Sequence, residues 1–86
     1  MPEISRFFGI RILMFYNDHT PPHFHAEYSG ERVSIEIESL AVMEGSLRRR
    51  ALGMVIEWAG GHRGELLEDW RRARMGLPLL EIRPLE

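Results

Sequence analysis

The stretch His23–Glu38, "HFHAEYSGERVSIEIE", decides the fold. In its first six residues, His23, His25 and Glu27 alternate with Phe24, Ala26 and Tyr28. Beyond Ser29-Gly30, Arg32, Ser34, Glu36 and Glu38 alternate with Val33, Ile35 and Ile37. Period two on both sides of a two-residue break reads as a β-hairpin. With Ser29-Gly30 as the loop, Tyr28 faces Glu31, Glu27 faces Arg32, Ala26 faces Val33, His25 faces Ser34, Phe24 faces Ile35 and His23 faces Glu36. Apart from Tyr28 at the mouth, every apolar residue then meets an apolar one, and Glu27 meets an opposite charge. A slip of one residue would turn every apolar side chain to the wrong face, so the register is strongly specified.

Working outward, residues 10–16, "IRILMFY", are rich in β-formers and predict a strand. Ile10, Ile12, Met14 and Tyr16 share one face, while Arg11, Leu13 and Phe15 share the other. A strand apolar on both faces needs cover on both. Leu13 and Phe15 are therefore the expected association surface, for a homodimer or a protein partner. "ISRFFG" before this strand predicts a further short strand, with Gly9 at a bend. "NDHTPP" cannot continue it: Pro21 and Pro22 lack amide donors, and Asn17 and Asp18 are turn formers.

On the other side, Leu47, Ala51, Val55, Trp58, His62, Leu66, Trp70 and Ala73 recur at helical spacing. Ser46 is the expected N-cap, and Gly60-Gly61 the expected break or kink. The expected fold is α+β: a small antiparallel sheet of three to five strands, with a C-terminal helical region (one kinked helix or two helices) packed on one face. Residues 1–86 are read as one domain, with a β half 4–44, a helical half 47–76 and a tail 77–86.

Composition narrows the function classes. The 86 residues contain no cysteine, which excludes disulfides and thiolate-bound metal. The net charge of −2 argues against a general nucleic-acid coat. No apolar run approaches a membrane span, and "MPEISR" does not resemble a secretory signal, so a cytoplasmic protein without membrane contact is expected. All 11 basic residues are arginine, as codon bias in a GC-rich genome produces, so only local clusters carry information.

Chemistry concentrates in "YNDHTPPHFHAEY", residues 16–28, which holds three of the four histidines. His23 and His25 are neighbours on the polar strand face. They are candidate general acid and base, with Glu36 as the orienting carboxylate and Asp18 and His19 as loop support. The spacing H-x3-H-x-H is also compatible with a metal. However, His19 lies across Pro21-Pro22 and no close carboxylate pair completes a closed site, so neither metal nor cofactor is expected. A solvated polar face would carry the same residues. Arg48, Arg49 and Arg50 fall where a helix N-terminus prefers acids, so they are candidate phosphate ligands.

Tyr16, Asp18, His19, Pro21, Pro22, His23, Phe24, His25 and Tyr28, followed by Glu57, Trp58, His62, Arg63, Leu66, Leu67, Trp70 and Ala73, carry a resemblance. On these residues the chain resembles a family of small bacterial proteins, domain-of-unknown-function family 4160. Gly60, Gly61 and Gly64 depart from the helix-forming or acidic residues that the family pattern implies. The resemblance implies a toxin–antitoxin module with a small protein partner encoded alongside, the candidate antitoxin. It assigns no catalytic residues. Joined to the histidine patch, it suggests a toxin-like, metal-independent ribonuclease acting on RNA. The alternatives are a non-catalytic interaction protein that binds the neighbouring gene product and a small histidine-based metal-binding protein.

Overall fold

The computed structural model describes residues 2–86. Five strands, β1 (Glu3–Phe7), β2 (Ile10–Leu13), β3 (His23–Tyr28), β4 (Glu31–Glu36) and β5 (Val42–Gly45), precede two helices, α1 (Arg49–Gly60) and α2 (Arg63–Arg74). The strands form one antiparallel sheet in chain order, an α+β arrangement. The β3–β4 register is the one the alternation dictates, from Tyr28 opposite Glu31 to His23 opposite Glu36. Ser29 and Gly30 both have positive φ (51° and 81°), as a primed two-residue turn requires. Phe8 and Gly9 repeat this signature between β1 and β2.

Alternate residues of the strands project Ile10, Ile12, Phe24, Ala26, Val33 and Ile35 into one core with Val55, Trp58, Leu66 and Trp70 of the helices. The helical stripe divides as the glycines predict: α1 ends at Gly60 and α2 begins at Arg63. Ser46 is not the cap. Its amide donates to Arg32 O at 3.0 Å and so continues the strand pairing. The helix begins three residues later, with Arg48 at the N-cap position and no side-chain cap of its own. Glu31 supplies the acid that this end lacks, accepting the Arg48 amide at 2.8 Å.

The second strand is shorter than expected, stopping at Leu13. The tail forms no strand but straps the core. Ile82 N–H donates to Ile4 O at 2.8 Å, and Trp58 Nε1–H donates to Arg83 O at 2.8 Å. Among the described residues no helix is long and apolar enough to cross a membrane.

Gly45 is required where it stands. Its φ is +75°, and a Cβ there would lie 2.2 Å from Arg32 O, a backbone atom that cannot yield. Gly45→Ala is expected to cost about 2–4 kcal/mol, combining left-handed strain with a backbone clash. Urea unfolding checks this against Gly53→Ala. Gly53 has open space around its Cβ and ordinary φ, so that change is expected to be neutral or stabilising.

Asp69 on α2 is buried, at 1% exposure. Oδ1 accepts the Leu80 amide at 2.9 Å, while Oδ2 has no partner among the described residues. Burial pushes its carboxyl pKa up, with the Leu80 amide and Arg72 opposing. A carboxyl whose folded pKa is raised holds its proton more tightly in the native state. Stability is therefore lost as pH rises from the unfolded value, about 3.9, through the folded one. Asp69→Asn keeps an acceptor for Leu80 and cannot ionise. Its stability advantage over the wild type is expected to be larger at pH 7 than at pH 4 in paired urea titrations; a constant difference would contradict this.

Candidate acid–base site

The turn after β2 and the start of β3 build the site. Asn17 takes positive φ (61°), and the Thr20–Pro21 bond is cis. The Asp18 side chain lies against the start of β3. Its Oδ2 lies 2.9 Å from His23 Nε2 and 3.1 Å from His25 Nε2, and its Oδ1 accepts the His19 amide at 3.0 Å. One carboxylate oxygen therefore serves both strand histidines.

The two histidines differ in depth. His23 is 1% exposed, and its ring stands 5.3 Å from the Trp70 ring. Its Nδ1 lies 2.8 Å from Pro21 O, a carbonyl that can only accept, so that nitrogen carries a hydrogen. The His25 side chain is 16% exposed. Its Nε2 donates to Asp18, and among the described residues Nδ1 has no partner and is not enclosed. The lone pair of His25 thus reaches solvent. Phe15 holds the ring edge-on at 4.5 Å, and the Arg32 guanidinium lies 5.5 Å above the Phe15 ring.

The electrostatics follow from these contacts. Burial pushes the Asp18 carboxyl up, but hydrogen bonds from His25 and the His19 amide, with the charge of His23, outweigh it. The net shift is downward, so Asp18 is an anion at neutral pH. Burial also lowers the pKa of His25 below the ordinary imidazole value. The bond to Asp18 opposes that shift, while His23 and Arg32 reinforce it. His25 is accordingly neutral at pH 7. Beside it a depression of about 240 Å³ is lined by His25, Arg32, Val33, Ser34, Glu44 and Gly45. The hydroxyl of Ser34 is buried there without a partner.

The predicted residues are only partly brought together. His23 and His25 are neighbours, with ring centroids 5.2 Å apart. Glu36 stands opposite His23 in register, but its carboxylate accepts from Ser39 Oγ, and the orienting carboxylate is Asp18. His19 is exposed; its ring lies 4.9 Å from that of His23, and its Nδ1 bonds Thr20 O at 3.2 Å.

Arg48 is tied to Glu31 and lies 5.1 Å over Tyr28, at the turn end of the hairpin. Three strand steps, roughly 10 Å, separate Tyr28 from His25, and among the described residues no hydrogen bond or ion pair joins Arg48, Arg49 or Arg50 to the histidines or Asp18. Arg49 and Arg50 are exposed. Arg32, on the same polar strand face, keeps its cross-strand pair with Glu27 and is the guanidinium near His25. Leu13 is 0% exposed and offers no partner surface; Phe15, half-buried against His25, remains accessible. Among the described residues no carboxylate pair stands at the histidines, but the single carboxylate of Asp18 does. Asp18 touches both.

The family model for a domain of unknown function (DUF4160) matches residues 9–71, from the β1–β2 turn to the last turn of α2. No curated protein and no solved structure matches the chain.

Proposed function

The chain belongs to the family of domains of unknown function DUF4160, and from that premise we propose that it is the toxin-like component of a bacterial two-protein module, a ribonuclease that needs no metal and uses His25 as general base. The observation that carries this reading is the Asp18–His25 pair. The Nε2–H donates to the carboxylate at 3.1 Å, which leaves the lone pair on the open Nδ1. An imidazole fixed in one tautomer by a carboxylate, neutral near pH 7 and open on one side, is an efficient proton acceptor.

In the proposed reaction Nδ1 removes the hydrogen of an RNA 2′-hydroxyl. The 2′-oxygen attacks the adjacent phosphorus, the bond from phosphorus to the 5′-oxygen breaks, and the departing oxygen takes a proton from water. The products are a 2′,3′-cyclic phosphate and a 5′-hydroxyl, and His25 returns its proton to solvent. Arg32 faces the negative charge that grows on the phosphate. His23, locked by Pro21 O and Asp18, positions the carboxylate and touches no substrate.

The neighbouring small protein is proposed to sit over Phe15. The Phe15 and His25 rings are 4.5 Å apart, so cover on one covers the other and silences the base. The test is induced expression with and without the neighbouring gene, scored by growth and by the chemistry of RNA ends. Arrest relieved by the neighbour, with new 2′,3′-cyclic ends, is the expected result. Arrest with intact RNA would replace this reading with the non-catalytic one, in which the Phe15 surface acts by binding alone.

A further inference from the structure

We propose that Asp18 Oδ2, His23 Nε2 and His25 Nε2 form a binding site for one divalent transition-metal ion of the zinc class, and that the ion switches off His25. The three donors all lie within 4.8 Å of one another, and the carboxylate oxygen is 2.9 and 3.1 Å from the two nitrogens. An ion with bonds of about 2.0–2.2 Å holds adjacent donors roughly 2.9–3.5 Å apart, so two of the three edges already have the right length.

A second observation points the same way. Pro21 O holds a hydrogen of the buried His23 on Nδ1, at 2.8 Å, and Nε2 faces the other donors, where an ion would displace the hydrogen that Nε2 shares with Asp18. A backbone carbonyl behind an imidazole is the outer support that ligating histidines use to fix tautomer and ring orientation. Two imidazoles with one carboxylate favour zinc, copper, nickel or iron over magnesium and calcium. Three protein donors leave one position open to water. His19 stands aside: its Nε2 is 3.8 Å from the other Asp18 oxygen, and its ring is exposed.

The consequence for activity rests on the reading of His25 as base; the site itself does not. An ion on His25 Nε2 takes the lone pair there, so the ring hydrogen must sit on Nδ1. The nitrogen that would accept the 2′-hydroxyl hydrogen becomes a donor.

The test is calorimetric titration of untagged, chelator-treated protein with zinc chloride, and a parallel titration with cobalt(II) followed by its visible absorption. One equivalent is expected to bind. Asp18→Asn and His25→Gln are expected to weaken binding on the order of 100-fold, while His19→Ala leaves it unchanged. Both main variants alter partly exposed side chains, and circular dichroism checks that they fold. His23 lies 5.3 Å from Trp70, so copper(II) should also quench tryptophan fluorescence at one equivalent. Absence of stoichiometric binding, or equal binding by the Asp18 and His25 variants, would overturn the site. RNA cleavage by chelator-treated protein should cease at one equivalent of zinc. Cleavage that instead rises with zinc would overturn the role of His25 as base, while the binding isotherm would stand.

Discussion

Trp58→Ala is expected to leave the chain largely unfolded at 37 °C. Trp58 is 1% exposed and joins sheet, helix and tail in one contact. Its ring lies 5.4 Å from Phe7 and 6.0 Å from Phe24, and Nε1–H donates to Arg83 O at 2.8 Å. Truncating a buried aromatic to alanine costs about 3–5 kcal/mol, and the lost hydrogen bond adds about 1 kcal/mol. A domain of this size has roughly 4–13 kcal/mol of stability in total, so the variant retains little. Trp58→Phe keeps most of the ring but leaves the Arg83 carbonyl without its donor. It is expected to cost about 1–3 kcal/mol and to loosen the tail before the sheet. Urea unfolding followed by circular dichroism checks both. A cost below about 2 kcal/mol for Trp58→Ala would mean that the sheet and helices hold without this contact.

Asp18→Asn and His25→Gln are each expected to lower RNA cleavage by about 10²–10⁴-fold, enough to abolish growth arrest. The glutamine has no basic lone pair to offer. The asparagine keeps the shape of the carboxylate but loses its charge, and its amide can donate as well as accept, so the tautomer of His25 is no longer fixed. Both side chains are about one-sixth exposed, 17% for Asp18 and 16% for His25, so neither change empties the core. His23→Ala is a different experiment. That ring is buried against Trp70, and its removal opens a cavity, so a loss of activity there would report folding as much as chemistry. Arg49→Ala, at an exposed position near the far end of the hairpin, is expected to be close to silent, whereas Arg32→Ala should impair cleavage. Retention of full arrest by Asp18→Asn, with normal folding, would count against the acid–base reading.

The hairpin was legible because its information is local. Sixteen consecutive residues carry two matching alternations about a turn that accepts positive φ, and only one register satisfies both. The helix break was legible for a similar reason, since Gly60-Gly61 interrupts an otherwise regular stripe. The site was half legible. Period two places His23 and His25 on one face but says nothing about depth, so the burial of His23 under Trp70 was out of reach. It also ties residues to cross-strand neighbours, which drew attention to Glu36. The carboxylate that arrives is five residues before His23 and seven before His25, carried there by a turn whose path no periodicity encodes. The available signal was chemical: an Asx residue opening a turn that ends in two histidines on one strand face. Leu13 is fully buried, and alternation along one strand does not reveal that depth. At the arginine run, the acid that answers the helix end is Glu31, distant in sequence and so invisible to a local pattern, and it holds Arg48 alone.

The central claim is that Asp18 holds the hydrogen of His25 on Nε2 and leaves Nδ1 as the open base. Nitrogen-15 NMR of the imidazole rings in chelator-treated protein at pH 7 measures this without substrate or partner. The expected result is that His25 Nε2 has the shift of a protonated ring nitrogen and Nδ1 that of a nitrogen with a free lone pair, and that Asp18→Asn blurs the distinction. A His25 ring with its hydrogen on Nδ1 in the ion-free protein would contradict it.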